Sequence, residues 1–86
     1  MESKAFFING KLVMELNLPE EGFMEITVMD ALGELFYNQC SYEKKGMHLR
    51  HIEAERLPET PFMVRIAVNG ESEIRKMENP ALKLAS

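Results

Sequence analysis

The chain has no tryptophan, a single cysteine and no apolar run near the roughly 20 residues a membrane helix needs. One cysteine, Cys40, excludes an internal disulfide and a thiolate-built zinc site. Lacking both a tryptophan and a cysteine pair, the sequence also lacks the hallmarks of antibody domains. Basic residues are the minority: 10 Lys and Arg stand against 14 Asp and Glu, for a net charge of −4. A protein that neutralises phosphates leaves a basic footprint, so nucleic acid and anionic lipid are poor partners for this chain. The N-terminus shows no basic-then-apolar signal pattern. No glycine-rich phosphate loop, internal repeat or low-complexity stretch is present. The glycines fall about one per turn, at Gly10, Gly22, Gly33, Gly46 and Gly70.

What is present is a short chain with an ordinary globular balance. An apolar fraction of 45% against 28% charged argues for a packed domain and against disorder. Eighty-six residues make one thin-cored unit, which buries about 60–65% of its unfolded surface. The apolar pattern has period two. Leu12, Met14, Leu16 and Leu18 alternate with Lys11, Glu15 and Asn17; Met24, Ile26 and Val28 follow; Phe62, Val64, Ile66 and Val68 repeat the pattern. Such alternation marks half-buried strands. Asn9-Gly10 and Asn69-Gly70 lie between apolar runs and predict two tight hairpins, because their turn type needs positive φ at both central residues. Asp30-Ala31-Leu32-Gly33 reads as a third hairpin loop. Further strands are expected at residues 5–8, 34–42, 47–52 and 72–77. Residues 52–57 read equally as a helical turn, and Pro58 and Pro61 bracket a corner. About seven short strands with turns every 8–12 residues predict an all-β, immunoglobulin-like β-sandwich over residues 1–80, with 81–86 as a flexible tail.

Two stretches carry a resemblance. One is Leu16-Asn17-Leu18-Pro19-Glu20-Glu21-Gly22 running on to Asp30-Ala31-Leu32-Gly33 and Tyr37. The other is Leu57-Pro58-Glu59-Thr60-Pro61-Phe62-Met63-Val64-Arg65-Ile66, followed by Asn69-Gly70 and Arg75-Lys76. Together they resemble the C-terminal sorting domains of the type IX secretion system, and are similar to small exported immunoglobulin-like domains of unknown function. The glycine that the family carries after Leu-Pro is replaced here by Thr60-Pro61, and its following tyrosine by Phe62. The resemblance implies an accessory or sorting-type module at the cell surface or outside the cell. Its partner would be secretion machinery or a domain of a parent protein.

Candidate chemistry is sparse. His48 and His51, with Glu53 and Glu55, form the one metal-like cluster. On a strand the two histidines point to opposite faces, and the plain alternative is a solvated strand. Cys40 has no activating neighbour in sequence, and no two carboxylates are placed as acid and base. No cofactor and no catalysis are expected. Met29 and Met63 fall on outward faces beside Phe36, which makes these three the candidate interaction surface; the alternative is a face assignment off by one. Pairing of edge strands into a homodimer is a further expectation. A free-standing ligand-binding domain, for glycans for example, is the alternative function. It draws little support from a chain whose tyrosines are only Tyr37 and Tyr42.

Overall fold

The computed structural model describes residues 1–59 and 61–79, so the tail expected at 81–86 lies outside the described residues. Seven antiparallel strands form: β1 (Glu2–Ile8), β2 (Lys11–Leu18), β3 (Gly22–Asp30), β4 (Leu35–Glu43), β5 (Gly46–Glu53), β6 (Phe62–Val68) and β7 (Glu71–Met77). They make a three-stranded sheet, β1-β2-β5, and a four-stranded sheet, β4-β3-β6-β7. The all-β sandwich expected from the alternation is what forms. In a constant-type immunoglobulin domain the fourth strand lies beside the fifth. Here β4 pairs with β3, and Lys44-Lys45 carry the chain across from one sheet to the other.

The turns follow from local chemistry. Asn9 and Gly10 have φ of 50° and 73°, and Asn69 and Gly70 have 49° and 84°, so both Asn-Gly pairs make the expected hairpins. The Asp30 carboxylate accepts hydrogen bonds from the main-chain N–H groups of Leu32 and Glu34, each at 2.9 Å, and Gly33 takes the positive-φ position. The ambiguous stretch after β5 is a 3-10 turn, Ala54–Arg56. Asn79 ties it down, its side chain donating to the carbonyls of Ala54 and Pro58. β1 starts earlier than alternation suggests, at Glu2 instead of residue 5. The early part is held by tertiary contacts: the N-terminal ammonium meets Glu71 at 3.1 Å and the Ser3 hydroxyl donates to Glu73 at 2.7 Å.

The core is a slab between β2 on one side and β3 with β6 on the other. Leu12, Met14, Leu16, Leu18, Met24, Ile26, Val28, Phe62, Val64, Ile66 and Val68 are all buried in it, closed at one end by Ile52 and Leu57. Those three strands have a hydrogen-bonded neighbour on both sides. Three of the four edge strands, β4, β5 and β7, behave differently. Antiparallel partners share a face, so register places Glu73 and Arg75 of β7, His48 and Arg50 of β5, and Gln39, Ser41 and Glu43 of β4 on the inward side. Polar side chains therefore line both flanks of the sandwich, where water reaches.

Gly22 shows how tightly one corner is built. A Cβ added there would lie 2.0 Å from the Asn69 side-chain oxygen, and that side chain donates to the Glu21 carbonyl at 3.1 Å. Gly22→Ala is expected to displace Asn69 and to cost about 1–2 kcal/mol. Adding Asn69→Gly, which keeps a residue at home at positive φ, should recover most of the loss in urea unfolding. A double variant no better than Gly22→Ala would contradict this account of the corner.

Candidate interaction surface

The outer face of the four-stranded sheet holds the residues singled out in the sequence. Met29 and Met63 are direct cross-strand partners on β3 and β6, both half-buried. Leu35 of β4 is the partner of Met29 on its other side, 58% exposed. Phe36 is not in line with them. The register of β3 against β4 shifts between Val28 and Met29, leaving Phe36 as an extra, bulged residue between Leu35 and Tyr37. The structure thus brings Met29 and Met63 together, adds Leu35, and sets Phe36 at the bulge. Leu32, in the adjoining turn, is 94% exposed, and a shallow hollow lined by Ala31, Pro61, Phe62, Met63 and Lys76 borders the patch.

Moving along the same face, the middle is polar. Arg65 pairs with Glu25 at 3.3 Å, and Asn38 donates to Thr27 at 3.0 Å. The far end is aromatic: Phe23 and Tyr42 meet edge to face with centroids 5.1 Å apart. The Tyr42 hydroxyl is held above its usual pKa, first by desolvation and then by the Glu21 carboxylate. Cys40 is exposed on β4, opposite Glu25.

The two histidines point to opposite faces. Cross-strand partnership puts His48 inward with Leu16 and His51 outward with Val13. Glu53 pairs with Lys11 at 3.8 Å, and Glu55 lies in the 3-10 turn. Among the described residues no three His, Cys, Asp or Glu side chains come together as metal ligands.

Sequence reading missed the network on the β4–β5 flank. Glu43 meets Arg50 at 2.8 Å and His48 Nδ1 at 3.6 Å, while His48 Nε2 donates to the Lys44 carbonyl at 2.6 Å. The network spans the two sheets, so no pattern within a single strand announces it. The Glu43 carboxyl is held below the usual glutamate pKa by the Ser41 hydroxyl first, then by Arg50, with desolvation opposing. The Ser41 hydroxyl lies short of strict hydrogen-bond geometry, so Arg50 is the firmer of the two causes. Because the folded value is the lower one, the stabilisation is complete above the ordinary glutamate pKa of about 4.3 and is lost as pH falls through the folded value. Glu43→Gln is expected to unfold more easily than wild type at neutral pH, with the gap closing in acid. A gap of constant size down to strong acid would contradict that assignment.

Comparison of the chain with protein-family models, with curated proteins and with solved structures finds no match.

Proposed function

We propose that this chain is a non-catalytic accessory module of the sorting or attachment type, serving an exported bacterial protein through protein–protein contact. The observation that carries the reading is the apolar end of the four-stranded sheet. Met29, Met63 and Leu35 adjoin on an outer face, with Leu32 fully in solvent beside them. An apolar group on an outer face, bordered by the charged pair Arg65–Glu25, is the usual build of a contact site, with an anchor inside a polar rim. The export part of the proposal rests on the sorting-domain resemblance of residues 16–37 and 57–66.

The test is a reporter fused to the full chain in a cell with a working type IX system. The reporter is expected at the cell surface. The double change Met29→Lys/Met63→Lys should lower the surface signal by about tenfold or more while the far-ultraviolet dichroism is kept. A wild-type fusion that stays inside the cell contradicts the sorting role.

One observation favours a second reading, a ligand-binding domain of the glycan type. Phe23 and Tyr42, 66% and 53% exposed, form an aromatic pair on an outer face. A glycan array should then give hits that Tyr42→Ala removes; an array without hits disposes of this reading.

A further inference from the structure

A two-sheet sandwich has four edge strands, here β1 and β5 in one sheet and β4 and β7 in the other. Each edge offers a row of unpaired N–H and C=O groups, and natural edges are blunted by charges, bulges or covering groups. Three of these four are blunted. On β1, the Ile8–Lys11 pair flanks a two-residue turn and is hydrogen-bonded, so by alternation the main chain of Ser3, Ala5 and Phe7 faces outward. The guanidinium of Arg75 reaches across from β7 and takes the Ser3 carbonyl. On β5, the Ala54 N–H donates to the Gly10 carbonyl at 2.9 Å, which turns the main chain of Leu49 outward. Arg50 covers that carbonyl at 2.8 Å. On β7, four residues of seven are charged, and Glu73 and Arg75 point inward.

β4 is different. The Asp30 N–H donates to the Glu34 carbonyl at 3.1 Å, so alternation along β3 directs Val28, Ile26 and Met24 toward Tyr37, Gln39 and Ser41. The main-chain groups of Asn38, Cys40 and Tyr42 therefore face the free edge. From Leu35 to Tyr42 the strand has no charge, no proline and no glycine. Among the described residues no side chain bonds the main chain of this edge. Its one protective device is the bulge at Phe36, at one end.

We infer that β4 pairs antiparallel with β4 of a second copy, with Gln39 on the two-fold axis, joining two four-stranded sheets into one. The side chains choose the occupant and the register. With Gln39 central, Asn38 meets the partner's Cys40, Tyr37 meets the partner's Ser41, and Phe36 meets the partner's Tyr42. Aromatic pairs of that kind are among the stabilising cross-strand combinations. Sliding by one residue is excluded because it would oppose inward and outward faces. Sliding so that Cys40 is central puts Phe36 against the partner's Lys44 and Asn38 against the partner's Tyr42. Sliding the other way puts Glu34 against the partner's Tyr42. Both lose the aromatic pairs.

Sedimentation equilibrium of the full chain, under reductant and up to about 1 mM, tests this. A concentration-dependent dimer is expected. Cys40→Pro removes an N–H that faces the free edge and that β3 does not use, so it should stay folded by circular dichroism and sediment as a monomer. Tyr42→Lys alone should weaken the dimer roughly tenfold, and Phe36→Glu/Tyr42→Lys, which sets opposite charges at that cross-strand pair, should restore it to within about twofold. A wild-type chain that stays monomeric at every concentration overturns the inference, as does a dimer that survives Cys40→Pro unchanged. A double variant that fails to restore association overturns the register.

Discussion

Phe62→Ala is expected to remove about 3–5 kcal/mol of folding stability, the cost of emptying a large buried aromatic site. Phe62 is 2% exposed, lies opposite Asp30 on β3 and Met77 on β7, and meets the ring of Phe7 edge to face at 6.4 Å. It therefore joins both sheets at the end of the slab where Phe7 of β1 and Met77 of β7 also pack against the core. A chain of this length has about 4–13 kcal/mol of stability in total, so the variant loses about a quarter of it or more. Its melting temperature should fall by about 15–30 °C. Phe62→Leu, which keeps most of the volume, should cost less than half as much. The comparison that isolates burial is Phe23→Ala: Phe23 is 66% exposed, and its loss should cost about 1 kcal/mol or less. Urea unfolding followed by circular dichroism measures all three. Equal losses for Phe62→Ala and Phe23→Ala would mean that the inward and outward faces of the four-stranded sheet are wrongly assigned.

Asp30→Ala should cost about 2–3 kcal/mol, although it removes no apolar contact. One carboxylate oxygen satisfies two main-chain N–H groups, those of Leu32 and Glu34, each at 2.9 Å, and Asp30 itself is buried. Alanine leaves both donors without that partner, and hydrogen bonds to a charged group are the stronger ones. Asp30→Asn keeps an acceptor in place and should cost about 1 kcal/mol. The readout is again unfolding, joined by amide exchange at Leu32 and Glu34, which should speed up in Asp30→Ala before the rest of the chain does. An Asp30→Ala protein as stable as wild type would show that the loop holds its shape without the carboxylate.

These two residues also mark what could be read without coordinates. Phe62 opens the cleanest alternation in the chain, and Asp30 precedes a glycine at turn spacing, so strand and turn were both legible. The same holds for β2 and for the two Asn-Gly hairpins, where periodicity and backbone chemistry agree. β4 and β5 were legible as strands but not as faces. Their inward residues, Gln39, Ser41, Glu43, His48 and Arg50, are more polar than outward ones such as Tyr42, Met47 and Leu49, because these strands sit at a wet flank instead of over the slab. The first residues of β1 escaped because what holds them, Glu71, Glu73 and Arg75, lies about 70 positions away. In the candidate surface, alternation turns Met29 and Met63 outward, but that they adjoin depends on the pairing of β3 with β6. The place of Phe36 did not follow from alternation. A single bulged residue breaks the count of two, and Leu35 takes the position beside Met29.

Strand β4 is held by β3 on one side and open on the other. Amide hydrogen exchange of the full chain, resolved by residue, tests that directly. In dilute, reduced solution Tyr37, Gln39 and Ser41 should exchange slowly, bonded to β3, while Asn38, Cys40 and Tyr42 exchange fast. In concentrated solution the second set should become protected. Protection of all six residues in dilute solution would contradict the open edge, and fast exchange of Tyr37, Gln39 and Ser41 would contradict the pairing of β4 with β3.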